Sequence, residues 1–163
     1  MGGEAAYHYS HPTPRAPVFP SGNRPATVDA KGRLKVPAAF LEALEEFGAQ
    51  VFVTSLDGRS ASIYPMTVWE EIAGRVRALG ELHPTWLRFA RFTNSWGHEA
   101  ELDAQARILL PRNLRTRANI AGRVDVLGME RHLEVWNHET LFANISADPL
   151  TDADLTRVYS EGS

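Results

Sequence analysis

The sequence predicts an α+β protein made of two tandem copies of one small β-rich module, each copy closed by a short helix. Three observations predict it. A nine-residue motif returns 74 residues later, each half carries two strand-like runs around a turn, and a helix-period segment follows each pair of runs.

The first 23 residues hold Pro12, Pro14, Pro17 and Pro20 with Gly2, Gly3 and Gly22, and Pro25 stands just beyond. Proline fixes φ and donates nothing to a ladder, so residues 1–23 are expected to form a flexible arm. Its two histidines, His8 and His11, have no ligand spacing. The first module is expected over 24–80, a connecting helix over 81–97, the second module over 98–146 and an acidic tail over 147–163.

Asp29-Ala-Lys-Gly-Arg-Leu-Lys-Val-Pro37 returns as Asp103-Ala-Gln-Ala-Arg-Ile-Leu-Leu-Pro111, with Asp, Ala, Arg and Pro identical. Gly48 and Gly122 keep the same offset. In the first copy Val51–Thr54 and Ser60–Tyr64 flank Asp57-Gly58, a strong hairpin signal. In the second, Arg123–Leu127 and His132–Trp136 flank Gly128–Arg131, and Val124, Val126, Leu133 and Val135 alternate with polar residues as in strands with one buried face. This second hairpin is two residues shorter, which aligns Tyr64 with Trp136.

Thr67-Val-Trp-Glu70 has capping-box spacing, and Trp69, Ile72, Val76 and Leu79 share a helical face behind it. Asn137 is placed to cap the matching segment with Leu141, Phe142 and Ile145, and 84–92 reads as a linking helix with Arg88 and Arg91. In the tail, Thr151 and Asp154 can cap a last helix bearing Leu155, Val158 and Tyr159, expected to pack on the body or on a neighbouring protomer. Tryptophans and phenylalanines on these faces read as core.

Composition narrows the function. With 44% apolar and 23% charged residues the chain is that of a globular protein, and no run reaches the roughly 20 apolar residues of a membrane span. The start lacks a signal-peptide pattern, so a cytoplasmic location is expected. There is no cysteine. His83, His98, His132 and His138 fall in no metal-ligand spacing, and no phosphate loop or nucleophile elbow occurs, so no enzyme, cofactor, metal or small-molecule substrate is expected. The formal net charge is −3, but it is uneven: +2 over 29–41, +3 over 103–117 and −3 over 148–163. Two basic stretches coincide with the two motifs.

Within each motif the Asp can accept turn N–H groups, Gly32 can adopt positive φ, and Pro37 or Pro111 suits the entry to a helix. Arg33 and Arg107 stand at the start of an apolar strand. Spacing leaves two roles open for them: pairing with their own aspartates to staple the turn, or reading guanine in a major groove.

The motif Asp29-Ala-Lys-Gly-Arg33-Leu-Lys-Val-Pro37, its return at Asp103–Pro111 followed by Arg112-Asn-Leu-Arg115, Ile63-Tyr-Pro65, Val126-Leu-Gly128 and Leu133-Glu-Val-Trp136 resemble the MraZ family over about residues 19–146. The resemblance implies intertwined swapped-hairpin modules of the AbrB type forming a pseudo-symmetric β-barrel with short flanking helices. It implies a transcriptional regulator binding short G-rich direct repeats in double-stranded promoter DNA upstream of the division and cell-wall cluster. It also implies a ring-like homo-oligomer and a nucleoid-associated location.

By the same resemblance Arg33 and Arg107 are the main DNA contacts, with Lys31 beside them and Asp29, Gly32 and Asp103 shaping the turns. Lys35, Arg112, Arg115 and Arg117 are candidate phosphate contacts. Two departures stand out: Ala106 replaces the second motif's glycine, and Leu41 replaces a basic residue that Arg115 keeps, so unequal use of the copies is expected. An antitoxin-like interaction module of the same fold is the alternative.

Overall fold

In the computed structural model residues 15–161 are described, and His8, His11 and most of the proline-rich arm lie outside them. The two motifs meet. Their strands, β2 (Arg33–Lys35) and β6 (Arg107–Leu109), run side by side and antiparallel, with Leu34 opposite Ile108, Arg33 opposite Leu109 and Lys35 opposite Arg107. Leu34 and Ile108 are repeat equivalents, so a pseudo-twofold axis passes between them. It emerges again where β4 (Ala61–Pro65) meets β8 (Leu133–Trp136), with Ser62 opposite its equivalent Glu134.

The remaining strands are β1 (Gly22–Val28), β3 (Gln50–Thr54), β5 (His98–Glu101) and β7 (Gly122–Gly128). All eight form one sheet in the order β5-β3-β4-β8-β7-β1-β2-β6. The β3–β4 hairpin of the first copy thus lies between strands of the second, and the β7–β8 hairpin of the second between strands of the first. This is a swapped-hairpin arrangement. The end strands β5 and β6 are joined by the Asp103 turn, and His98 Nε2 lies 2.9 Å from the Leu109 carbonyl oxygen in a hydrogen bond, so the sheet nearly closes into a barrel.

Alternation decides what fills it. Val51, Val53, Ile63, Val124, Val126, Leu133 and Val135 face inward and are fully buried with Leu34 and Ile108. Neither copy can bury these faces alone, because each inner strand has one neighbour from its own copy and one from the other. Outside lie α1 (Ala38–Phe47), α2 (Met66–Arg77), α3 (Pro84–Trp96), α4 (Arg112–Ala118), α5 (His138–Ala147) and α6 (Asp152–Glu161). Asn137 Oδ1 accepts the Thr140 N–H at 3.0 Å, the cap expected for α5. The Phe52, Trp69 and Phe89 rings stack, sealing α2 and α3 against β3.

Three details correct the sequence expectations. α2 begins at Met66, directly after Pro65, and has no side-chain cap; Thr67 and Glu70 already lie inside its first turns. Strand β4 runs extended into Pro65, whose φ of −50° and ψ of 140° lead straight into the helix. Leu79 is half-exposed, beyond the end of α2.

The arm boundary drawn at residue 23 falls inside β1, and Phe19 is only 1% exposed. Phe19 stacks on Phe47, and its N–H donates to the Glu130 carbonyl at 2.7 Å. Gly128 admits this segment: a Cβ there would overlap the Pro20 carbonyl oxygen and come within 3.1 Å of the Phe40 ring. Pro25 is tolerated within β1 because that strand pairs β2 only at Val28, leaving much of one edge without a ladder.

The tail forms α6, with Thr151 N–H donating to Asp154 Oδ2 and Asp154 N–H to Thr151 Oγ1, at 2.9 and 3.1 Å. This is the expected reciprocal cap. None of the helix is buried against the body.

Candidate nucleic-acid interface

The same turn is built twice. Asp29 Oδ1 accepts the backbone N–H groups of Lys31 and Arg33 at 3.0 and 2.9 Å, and Asp29 Oδ2 accepts Arg33 Nε–H at 2.8 Å. Asp103 Oδ1 likewise accepts from Gln105 and Arg107 at 2.9 Å each, and its Oδ2 accepts Arg107 Nε–H at 3.0 Å. Backbone bonds from Asp29 N to Arg33 O and from Asp103 N to Arg107 O close each loop at 2.9 and 3.0 Å. Asx-type acceptance explains why the motif needs a carboxylate at this spacing: a single side chain satisfies two turn amides and orients a guanidinium. These bonds hold both carboxyls below the usual Asp range, the backbone N–H of Arg33 or Arg107 first among the causes.

Local pairing, one of the two roles left open by spacing, is therefore formed in both copies. It occupies only Nε. The side chains of Arg33 and Arg107 are 31% and 25% exposed, and Arg107 Nη1 also lies 3.9 Å from Asp29 Oδ2, joining the two turns across the axis. Lys35 Nζ donates to the carbonyl of Gln105 in the opposite turn, so it clips the pair together.

At the third position of the turn Gly32 has φ +86° and Ala106 has φ +59°, the left-handed conformation the motif demands. Arg115 lies on Gly32 and donates Nε–H to the Leu110 carbonyl at 3.2 Å. A Cβ on Gly32 would stand 2.5 Å from Arg115 Nε. The repeat equivalents of this pair are Ala106 and Leu41. Where no guanidinium presses on the turn, a methyl is present.

Arg115, Lys31 and Arg112 line one cleft beside the turns, with Arg117 and the apolar Trp96, Leu109 and Pro111. The structure thus brings Asp29, Arg33, Lys35, Asp103 and Arg107 together at the axis that relates the motifs, and Lys31, Arg112 and Arg115 into the cleft beside it. Sequence reasoning missed the cleft, whose floor joins the end of α3 to the start of α4; only the tertiary fold brings these together. Asn113, which donates Nδ2–H to the Ser95 carbonyl at 2.5 Å and so ties α4 to α3, gave no signal in the sequence.

Among the described residues no group of three His, Asp or Glu side chains is arranged to hold a metal, and no helix is long and apolar enough to cross a membrane.

A family model described as "MraZ protein, putative antitoxin-like" matches residues 96–159. A protein of Acidobacterium capsulatum named transcriptional regulator MraZ is 42% identical over 134 residues, covering 82% of this chain and 92% of that protein. One of the same name from Koribacter versatilis is 42% identical over 135 residues, with the same coverage. Another, from Syntrophobacter fumaroxidans, is 36% identical over 121 residues, 74% of this chain and 81% of its own length. With relatives this similar over most of both chains, and with the paired Asp–Arg turns in place, the chain belongs to the MraZ family.

Proposed function

We propose that the protein is a sequence-specific DNA-binding transcriptional regulator that grips promoter DNA with the two Asp–Arg turns. The observation that carries this reading is the doubled turn at the pseudo-twofold axis, where two carboxylates stand among four cations, Lys31, Arg33, Lys35 and Arg107. Each aspartate holds its guanidinium by Nε, and the terminal nitrogens, of which only Arg107 Nη1 faces a second carboxylate among the described residues, at 3.9 Å, are suited to guanine O6 and N7 or to phosphate. Relatives named as transcriptional regulators support the assignment.

The target we propose is a set of short G-rich direct repeats upstream of the division and cell-wall genes, bound by a ring-like homo-oligomer. Avidity reconciles this with the net charge of −3, because a single protomer with so few free cations grips a polyanion weakly. Several linked protomers raise the effective concentration of each further contact. Lys31 and Arg115, the cations nearest the turns, are proposed to steady the phosphates there.

A mobility-shift titration against DNA from upstream of the protein's own gene tests this at two salt concentrations. Affinity is expected to climb steeply with repeat number, to depend on spacing near one helical turn of about 10 bp, and to fall with salt. Equal affinity for one repeat and for several would remove the avidity argument.

A further inference from the structure

Two surfaces of complementary chemistry are left uncovered. The first is the cleft of about 1010 Å³ beside the turns. Trp96, Leu109 and Pro111 give it an apolar floor; Lys31, Arg112, Arg115 and Arg117 give it a basic rim, and no carboxylate among the described residues lines it. Leu109, at its floor, is 48% exposed.

The second surface is α6. Leu155, Val158 and Tyr159 have the i, i+3, i+4 spacing of one helical face and are 39%, 61% and 79% exposed. Asp152 in the first turn of the helix and Asp148 at the end of α5 have carboxylates that make no hydrogen bond or ion pair among the described residues. A ten-residue helix is about 15 Å long and marginal in water without a packing partner, and none of its residues is buried against the described residues of its own chain.

We propose that α6 of one copy docks in the cleft of a second copy, its Leu155, Val158 and Tyr159 on the apolar floor, with its Asp152 and the preceding Asp148 against Arg112 and Arg117. The sign of the charges selects this occupant: a basic, apolar hollow fits an acidic, amphipathic helix, and every copy carries one of each. Such a contact is heterologous, cleft to helix, and repeats from copy to copy until a ring closes. The inference rests on the self-association proposed above and names its surface. Arg112 and Arg117 then serve a neighbour, while Arg33 and Arg107 remain with the DNA.

The test uses full-length chains and light scattering after size exclusion. One variant carries Asp148→Lys and Asp152→Lys, the other Arg112→Glu and Arg117→Glu. The wild type is expected to assemble, and each variant to need at least tenfold higher concentration to do so. An equimolar mixture of the two is expected to recover assembly, since each then offers the complement of the other; recovery also shows that both are folded. Leu155→Ala with Tyr159→Ala is expected to weaken assembly without altering charge. A monomeric wild type overturns self-association and this inference together. An assembled wild type whose mass is unmoved by all three variants overturns the inference alone. Loss of DNA binding in the Arg112→Glu, Arg117→Glu variant with unchanged mass assigns the cleft to the DNA backbone and likewise overturns it.

Discussion

Arg115 lies flat on Gly32, the second copy's guanidinium against the first copy's turn, so closely that a methyl group at position 32 would displace it. The axis-related pair is Leu41 and Ala106. The two departures from the motif are therefore one feature seen twice: a turn with positive φ takes glycine where an arginine covers it and takes alanine where a leucine stands instead. The copies are unequal at the level of this covering side chain.

Substitutions at the two turns are expected to differ accordingly. Gly32→Ala meets a backbone penalty of about 1 kcal/mol at φ +86° and pushes Arg115 off the turn. Ala106→Gly relieves a similar strain but frees the unfolded chain, so a gain of about 0.5 kcal/mol is expected. Urea unfolding of both variants measures the difference; equal and opposite shifts would show that Arg115 contributes nothing to the asymmetry.

The segment before β1 is expected to hold the barrel together. Phe19→Ala removes a buried ring stacked on Phe47, at a cost of about 3–5 kcal/mol. Gly128→Ala acts on the same contact from the other side, because its methyl meets the Pro20 backbone, which cannot rotate away as Arg115 can. A loss of about 3 kcal/mol is expected there. Thermal unfolding checks both, and a Gly128→Ala melt as high as the wild type would mean that the segment is not seated on the sheet.

Acid should loosen the turns late. Asp29 and Asp103 titrate below the ordinary Asp value in the folded protein, so their contribution is complete above the unfolded value of roughly 3.9 and is lost as pH falls toward the lower folded values. Between neutral pH and about pH 5 no change from these groups is expected. Asp29→Asn removes the dependence at one turn only. Following the amide signals of Lys31 and Gln105 by NMR against pH reports each turn separately; loss of both near pH 6 would contradict this assignment.

Much of the fold was legible because period and pairing agree. Val124, Val126, Leu133 and Val135 alternate in the sequence and are buried in the barrel, and Asp57-Gly58 makes its turn, with Asp57 Oδ1 accepting the Arg59 N–H at 2.8 Å. The repeat also announced that two equivalent turns exist. What the sequence could not show is that they touch: Arg107 near Asp29 and Lys35 on the Gln105 carbonyl depend on β2 pairing with β6, whose central pair, Leu34 and Ile108, is 74 residues apart. Nor could it show Phe19 entering the core, since the surrounding prolines and Gly22 read as an arm. Local composition spoke for a linker, and the long-range contact with Glu130 and Phe47 prevailed.

The central claim is that both guanidiniums, each held by its own aspartate, meet DNA. Affinity of the Arg33→Ala, Arg107→Ala and doubly substituted proteins for a multi-repeat promoter fragment, measured by mobility shift at fixed salt, tests it most directly. Each single change is expected to weaken specific binding by at least tenfold and to unequal extents, because Arg107 also leans on Asp29 while Arg33 does not share its partner's carboxylate, and the double change is expected to abolish it. Wild-type affinity in a folded double variant would contradict the account.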